Sequence, residues 1–387
     1  MTLKRMTTIN KPGQYYCSQK FWWLSVYPER KVISSCCSAT PQVIDLTWLK
    51  NNPGRLFNIP ELQEERQQML DGVRVNSCED ECWKAEDSGL ISRRLTMQSN
   101  IPVESNIEAT PTALNIILGS DCNLTCVYCC KQYSTAWYRD IKTNGAYFDN
   151  DNRFEITIVD KTVEALGQNK IKSSDFFQQI LDECKQFKNL NKVFISGGEP
   201  FLYNGLPELI NSLSGDLEIY TGLGVDNSRL ERMLGKITNK FTLIVSAETT
   251  GKYYELARFG NTFNKFQENL ETIRRLQIPY KFLSVLTNLT IFDFQNFQKQ
   301  FKDQEINTQF CTDPDYLAVN VLDNASREKL LDSDFGRFTT DIHTSLKVIP
   351  TIDQQEKFFH YIKSFLSRRN ISLDMYPESF TNWANLA

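Results

Sequence analysis

Four of the eleven cysteines in this 387-residue chain fall within the ten residues DCNLTCVYCC at 121–130. Cys122, Cys126 and Cys129 have the spacing CxxxCxxC, and Cys130 follows directly. Thiolates are soft ligands that bind zinc or iron–sulfur clusters, and a structural zinc site needs four of them, for which Cys130 is available. Adjacent cysteines rarely both reach one metal. The spacing therefore favours a [4Fe–4S] cube held by three cysteines, with one iron left open for another ligand.

A second set of cysteines lies earlier in the chain and consists of Cys17, Cys36, Cys37, Cys78 and Cys82. In a reducing compartment such clustering argues for metal binding rather than for disulfides. Cys36 and Cys37 lie at a predicted strand end, where neighbouring side chains point to opposite faces, so we expect only one of them to bind. The isolated Cys184 and Cys311 are expected to be small core residues.

The composition excludes several classes of function. Hydrophobic residues at 41% and charged residues at 23% are typical of a globular protein, and the net charge of -4 gives no global basic field for nucleic acid. The N-terminal MTLKRMTTINKPGQYYC lacks the apolar core of a signal peptide, and no later segment has 18 uninterrupted apolar residues. We therefore expect a cytoplasmic protein with no membrane partner. The charge does not favour a nucleic acid as partner, although a local basic patch stays open.

From about residue 112, short apolar runs alternate with amphipathic stretches, as in a βα repeat. The predicted helices include 173–187 and the stretch after Asn261. The predicted strands are 113–118, 192–196, 217–221, 241–248, 280–287 and 316–322. This pattern predicts an α/β fold with a partial (β/α)6 barrel of the TIM type, whose active-site loops lie at the carboxyl ends of the strands. The cysteine loop follows the first of these strands.

The chain divides into three predicted segments, 1–110, 111–330 and 331–387. The first is irregular and has too little apolar pattern for a large core, so a bound metal would help it fold. It contains one predicted helix, 60–72, which Gly72 would end, and a predicted linker at 98–111. The last segment contains an amphipathic helix at 354–370, expected to pack on the core through Phe358, Phe359, Ile362 and Phe365.

Two motifs in the predicted barrel resemble those of the radical S-adenosylmethionine (SAM) superfamily. The first is CxxxCxxC after the first strand, with the aromatic Tyr128 before its last cysteine. The second is FISGGEPFLY, which places Gly197, Gly198 and Glu199 at the carboxyl end of the second strand. The resemblance implies that SAM binds the open iron, that one electron from the cluster cleaves SAM, and that the resulting 5′-deoxyadenosyl radical abstracts a substrate hydrogen.

The same resemblance implies which residues bind SAM. Gly197, Gly198 and Glu199 would hold its amino group. Thr221 and Ser246, which are polar residues at the ends of the third and fourth predicted strands, would contact its ribose or carboxylate. Glu248 and Arg258 could reach its methionyl end. Arg258 could instead be a solvent-exposed helix residue, and that alternative remains open.

The N-terminal cysteines resemble the twitch or SPASM modules that hold auxiliary iron–sulfur clusters in radical SAM enzymes. The whole chain looks like the twitch-domain radical SAM proteins in which that module precedes the barrel. Two departures are Arg30, where a glycine is expected before the cysteine pair, and the CxxxC spacing of Cys78 and Cys82. A structural zinc therefore stays open as the alternative to an auxiliary [4Fe–4S] cluster. With four thiolates, such a cluster would serve structure or electron transfer.

The resemblance implies an oxidoreductase or modifying enzyme that receives electrons from a donor such as flavodoxin or ferredoxin. A peptide or protein side chain is the first expected substrate, and a small metabolite, a sugar nucleotide or a nucleic-acid base is the alternative. From another class, the chain could be a non-catalytic iron–sulfur electron carrier or a zinc-stabilised binding module. The long connection 131–172 is expected to line the substrate pocket, or else to pack on the N-terminal module.

Overall fold

The computed structural model describes residues 13–97, 106–149, 151–155 and 171–385. The strands in these ranges are β1 (Trp23–Tyr27), β2 (Val32–Ser34), β3 (Gln42–Val43), β4 (Ala113–Ile117), β5 (Thr125–Cys126), β6 (Lys192–Ser196), β7 (Asp216–Thr221), β8 (Phe241–Ser246), β9 (Arg258–Phe259), β10 (Tyr280–Leu286) and β11 (Ile306–Phe310). Across the same ranges, no helix combines the length and the apolar character that crossing a membrane requires.

The helices alternate with the later strands and extend beyond the last one. They are α1 (Leu46–Asn51), α2 (Pro60–Leu70), α3 (Lys84–Asp87), α4 (Arg93–Met97), α5 (Thr135–Asn144), α6 (Asp175–Lys185), α7 (Leu206–Ser212), α8 (Asn227–Leu234), α9 (Gly251–Ala257), α10 (Phe263–Arg275), α11 (Ile291–Gln300), α12 (Asn324–Leu331), α13 (Thr339–Leu346), α14 (Ile352–Arg369) and α15 (Glu378–Ala384).

The chain forms two compact units, and the first takes its described residues from 1–119, 169–195 and 209–217. Its strands have the order β3-β2-β1-β4-β6. β1 is antiparallel to β2, with Ser25 opposite Ser34, and parallel to β4, with Trp23 opposite Ala113. The N-terminal strands therefore extend a barrel-type strand instead of forming a separate sheet.

Gly119, at the end of β4, is a position that only glycine can occupy. Its φ is +139°, and a Cβ there would lie 1.8 Å from the Glu29 carboxylate of the same unit. The close approach of Glu29 therefore depends on the missing side chain at the point where the chain leaves β4.

The second unit takes its described residues from 120–168, 196–208 and 218–387. β8 pairs in parallel with β10, and β10 in parallel with β11, with Ser284 opposite Thr308. A short antiparallel pair, β5 and β9, places Thr125 opposite Phe259 and Cys126 opposite Arg258. β6 and β7 each have residues in both units.

The predicted α/β fold with a largely parallel sheet is confirmed, and the strands from β4 to β11 are consistent with a partial barrel. Five of the six predicted strands correspond to β4, β6, β7, β8 and β10. The sixth, 316–322, is wrong because the last strand is Ile306–Phe310. β11 is an edge strand with alternating burial and few apolar residues, whereas Leu317 and Val321 are fully buried outside any strand. Apolar content therefore indicated burial here and not strand pairing.

The predicted helices at 60–72, 173–187, after Asn261 and at 354–370 are present as α2, α6, α10 and α14. α14 packs through the predicted Phe358, Ile362 and Phe365, which are buried, while Phe359 is half-buried. Cys184 and Cys311 are buried core residues as expected. Residues 98–105 of the predicted linker lie outside the described ranges.

The connection at 131–172 contains the helix α5, and its residues 150 and 156–170 lie outside the described ranges. Within the second unit α5 packs on α14. The Asp140 carboxylate lies 3.3 Å from the Arg368 guanidinium, and the rings of Trp137 and Phe365 are 6.0 Å apart. Trp137 is fully buried, so this aromatic residue is a core residue and is not available at the barrel mouth.

Candidate functional site

A cavity of about 280 Å³ lies at the carboxyl ends of the strands in the second unit. Its lining includes the cysteine loop, the turn after β6, and the ends of β7 and β8. The lining residues are Cys122, Leu124, Cys126, Tyr128, Cys129, Tyr133, Ser196, Gly197, Gly198, Glu199, Tyr220, Thr221, Gly222, Ser246, Arg258 and Val285. Of the residues predicted to bind SAM or its cluster, Glu248 alone is absent from this lining.

The start of α5 holds the cysteine loop in place. The Ser134 hydroxyl donates to the Leu124 carbonyl at 2.6 Å, and the Thr135 hydroxyl donates to the Cys122 carbonyl at 2.9 Å. Ser134 also caps α5 by accepting from the Trp137 amide. The Ser134 hydroxyl therefore serves both the helix cap and the position of the loop, whereas the Thr135 hydroxyl serves only the position of the loop.

Of the three motif cysteines, Cys126 is buried, whereas Cys122 and Cys129 are half-buried at the cavity. Burial raises the pKa of Cys122 to about 12, with a further contribution from Cys126. Burial also raises the pKa of Cys129 well above its ordinary value, and Cys130, Cys126 and Cys122 add to this. Bound iron would relieve this mutual repulsion, because it stabilises the thiolate form of each ligand.

Cys130 is partly buried and does not line the cavity. Among the described residues, no group of three or more His, Cys, Asp or Glu side chains is arranged to hold a single metal ion. In a [4Fe–4S] cube each cysteine binds a different iron, so its ligands need not converge on one point. The arrangement at Cys122, Cys126 and Cys129 is compatible with such a cube.

The turn after β6 contacts the cysteine loop through its glycines. Gly197 and Gly198 have φ values of +91° and +55°. A Cβ on Gly198 would lie 2.3 Å from the Asp121 carbonyl oxygen, and the Glu199 amide donates to that oxygen at 2.8 Å. Gly198 therefore allows the backbone of the turn to pack directly against the start of the cysteine loop.

Glu199 and Thr221, two of the predicted SAM-binding residues, are hydrogen-bonded to each other. The Thr221 hydroxyl lies 2.8 and 2.9 Å from the two Glu199 oxygens, and the Gly222 amide donates to one of them at 3.1 Å. Burial raises the pKa of Glu199, and these donors oppose that effect. The carboxylate thus joins the ends of β6 and β7 at the cavity wall.

Arg258 and Glu248 form a fully buried ion pair, with 2.6 Å between guanidinium and carboxylate. The guanidinium also donates to the Tyr128 hydroxyl and lies 3.9 Å from the Cys126 sulfur. Burial lowers the pKa of Arg258, but Glu248, Tyr128 and Cys126 outweigh that effect and the pKa is raised. The alternative of a solvent-exposed Arg258 on a helix is wrong, because the residue is in β9 and is 3% exposed.

Six residues that line the cavity were not predicted as site residues from the sequence: Leu124, Tyr133, Ser196, Tyr220, Gly222 and Val285. Three of the six directly flank a predicted site residue: Ser196 precedes Gly197, and Tyr220 and Gly222 enclose Thr221. The position of these three at the carboxyl ends of β6 and β7 is the signal that could have identified them.

In the first unit, four of the five N-terminal cysteines are buried: Cys17, Cys36, Cys78 and Cys82. Three of these, all except Cys36, share one apolar cluster with Met69, Val75 and Trp83. Cys37 is exposed. Its pKa is lowered to about 6, first by its neighbour Cys36 and also by the Arg93 guanidinium, whereas the pKa of Cys36 is raised. The two adjacent cysteines therefore have opposite environments.

Polar donors without partners lie beside the buried cysteines. The hydroxyl of Ser18 and the side-chain amide nitrogen of Gln19 are buried and have no hydrogen-bond partner among the described residues. The side-chain oxygen Oε1 of Gln19 accepts a hydrogen bond from the Cys36 thiol at 3.4 Å. Buried donors of this kind fit the sulfur atoms of an iron–sulfur cluster, since unpaired buried donors cost free energy.

Comparisons with known proteins agree with the motifs. Residues 116–301 match the family model of the radical SAM superfamily, which confirms the predicted radical SAM domain. No curated protein matches the sequence. Similar solved structures include anSMEcpe with bound AdoMet, at 17% identity and a TM-score of 0.36, covering 65% of this chain and 59% of that chain. Streptococcus suis SuiB bound to precursor peptide SuiA gives 13% identity, a TM-score of 0.32 and coverages of 92% and 71%.

Proposed function

We propose that this chain, on the basis of its radical SAM domain, is an enzyme that reductively cleaves SAM and uses the product radical to abstract a substrate hydrogen. One observation supports the proposal most directly. A single cavity is lined by all three cysteines of CxxxCxxC, by Gly197 to Glu199, and by the predicted polar strand ends Thr221 and Ser246. A zinc site or an electron carrier would not need the glycine turn and the strand ends.

Cys122, Cys126 and Cys129 would hold a [4Fe–4S] cluster at this cavity. When bound, the cluster would supply the electron that cleaves SAM. The open backbone of Gly197 and Gly198 would let the SAM amino group approach, with Glu199 providing the negative charge beside it. Ser246 is half-buried on the cavity wall and would donate a hydrogen bond to the ribose or carboxylate.

Arg258 would position groups in the site and could also contact SAM. It is committed to Glu248 and Tyr128, which keeps the Tyr128 ring against the wall and a positive charge 3.9 Å from the Cys126 sulfur. The Glu248 carboxylate does not line the cavity, so its proposed part is to hold the guanidinium. A buried cation is stable here because its counter-charge is in contact with it.

We also propose that Cys17, Cys36, Cys78 and Cys82 hold an auxiliary [4Fe–4S] cluster that serves structure or electron transfer. The burial of these four, the exposure of Cys37, and the unpaired donors of Ser18 and Gln19 support this ligand set. The proposal selects Cys36 from the adjacent pair, because only its sulfur lies with buried neighbours.

The proposed substrate is a peptide or protein side chain, and the proposed electron donor is a flavodoxin or a ferredoxin. The resemblance of the N-terminal cysteine set to twitch and SPASM modules supports the choice of substrate. Incubation of the loaded enzyme with fractionated cell extract would test it. Peptide-containing fractions should increase 5′-deoxyadenosine formation, and stimulation by a peptide-free fraction would instead indicate a small metabolite, a sugar nucleotide or a nucleic-acid base.

Anaerobic reconstitution followed by iron and sulfide counting tests the cofactors. Two cubes predict about eight irons per chain, whereas one cube plus zinc predicts about four. Dithionite and SAM should then release 5′-deoxyadenosine from the loaded protein, measured by chromatography. A triple Cys122, Cys126 and Cys129 to Ala variant is the matched control and should keep about four irons without forming the product. Absence of product from the fully loaded wild-type protein would refute the enzyme proposal.

A further inference from the structure

A buried lysine lies among the N-terminal cysteines. Lys20 is 1% exposed and follows Cys17 by three residues. Its ammonium donates to a Glu65 oxygen at 2.5 Å and to the Ser77 hydroxyl at 2.9 Å. Burying an ammonium is costly unless charges and acceptors around it compensate, so its position in the core of the first unit needs a reason.

Two of the three N–H donors of the Lys20 ammonium are used by these contacts, and no third acceptor lies within hydrogen-bonding distance in the described part of the chain. These contacts place the ammonium beside the cysteine set, because Ser77 directly precedes Cys78. The Glu65 oxygen that it contacts also lies 3.4 Å from the hydroxyl of Ser35, which directly precedes Cys36. The ammonium therefore lies beside residues that flank two of the buried cysteines, with one N–H unused among the described residues.

Glu65, the counter-ion of Lys20, is held in a fixed orientation by further contacts. Its second oxygen accepts from the Gln42 side-chain amide at 2.8 Å, and Ser35 lies 3.4 Å from the first. Glu65 is 6% exposed. Because both of its oxygens already have hydrogen-bond partners, the Glu65 carboxylate fixes the position of Lys20.

We propose that Lys20 compensates the negative charge of the auxiliary cluster and donates a hydrogen bond to one of its sulfurs, so that it raises the reduction potential of that cluster. The inference rests on the proposed auxiliary cluster. A cube with four thiolates is negatively charged and becomes more so when it accepts an electron. A buried cation therefore favours the reduced form, and the negative charge of Glu65 weakens this effect.

Two substitutions with opposite expected signs test the proposal in the full-length reconstituted protein. Lys20→Met should lower the ratio of reduced to oxidised auxiliary cluster at a fixed potential by at least about tenfold, which is about 59 mV for one electron. Glu65→Gln keeps the lysine and removes a negative charge, so the same ratio should rise. Lys50→Met, on the exposed end of α1, is the control and should leave it unchanged.

The readout is an anaerobic redox titration followed by electron paramagnetic resonance. Excess SAM is added because it changes the signal of the SAM cluster only, which distinguishes that signal from the signal of the auxiliary cluster. If the wild-type protein holds about eight irons and neither substitution shifts the auxiliary signal, Lys20 has no such role. If Lys20→Met loses the cluster, Glu65→Gln decides: a rise supports the proposal and an unchanged ratio overturns it. A wild-type protein with only about four irons would refute the auxiliary cluster itself, and the Lys20 proposal with it.

Discussion

The two cysteine sites of this chain differ in how open they are. In the second unit, three motif cysteines border a cavity of about 280 Å³ that glycines and strand ends complete. In the first unit, four cysteines are buried, three of them with Trp83 and other apolar side chains. Three ligands beside a cavity fit a cluster that binds a further molecule, whereas four buried ligands fit a closed cluster. The difference therefore supports the proposed division into a reaction site and a structural or electron-transfer site.

A buried cation–carboxylate pair accompanies each site. Arg258 and Glu248 lie beside the open site, and Lys20 and Glu65 lie beside the closed one. The Arg258 guanidinium lies 3.9 Å from the Cys126 sulfur, and Lys20 contacts Ser77, which directly precedes Cys78. The proposed clusters are negatively charged with their thiolate ligands, so each pair would supply a cation that compensates that charge.

Loss of a barrel cysteine should have the largest effect. Cys126→Ser or Cys129→Ser removes one of only three ligands, so 5′-deoxyadenosine formation from SAM and dithionite should fall to background. Cys130→Ser is the matched control in the same loop and should keep both the cluster absorbance and the activity. Loss of the cluster in Cys130→Ser would instead favour a site with four cysteine ligands. It would contradict the proposal that the site in the second unit has an open ligand position and the site in the first unit does not.

Substitution of the adjacent N-terminal cysteines should separate the two sites. Cys36→Ser should reduce the iron content of the reconstituted protein from about eight to about four, while Cys37→Ser should leave it unchanged. SAM cleavage without substrate should persist in both variants, because the barrel cluster keeps its ligands. The opposite pattern, with iron lost only in Cys37→Ser, would show that the exposed cysteine is the ligand.

Removing one member of the buried pair should destabilise the second unit. Arg258→Met leaves the Glu248 carboxylate buried without its counter-charge, which should cost about 3–5 kcal/mol. The double variant Arg258→Met/Glu248→Met should recover most of this loss, measured by urea unfolding under anaerobic conditions. If the single and double variants have the same free energy of unfolding, the unpaired Glu248 carboxylate is not the cause of the loss of stability.

The smallest effect is expected at Gly198. Gly198→Ala introduces a Cβ 2.3 Å from the Asp121 carbonyl oxygen at a φ of +55°. Gly251→Ala is the control, because Gly251 has a φ of +49° and nothing within 4 Å of its missing Cβ. Gly251→Ala should lose about 1–2 kcal/mol through backbone strain, and Gly198→Ala should lose more because its Cβ also meets a backbone oxygen. Only Gly198→Ala should also weaken SAM binding, by about tenfold in equilibrium dialysis; equal affinities would exclude a role for the close approach.

Particular elements show how far the sequence could be used to predict the fold. β4, β6, β7, β8 and β10 were predictable because buried strands of this kind are short and apolar. β11 was not, because an edge strand needs fewer apolar residues and its pairing depends on β10. α5 was missed within a connection predicted as a loop, although Ser134 is a typical N-cap residue.

The sequence by itself determined the cysteine spacing, the GGEP turn and the βα alternation, since each depends on residues close together in the chain. The tertiary structure decided that Cys36 is buried and Cys37 exposed, and that Arg258 lies beside Cys126 across β5 and β9. It also decided that Lys20 meets Glu65, 45 residues away. The physical reason is that burial and charge pairing depend on long-range packing, whereas motif spacing and element propensity are local.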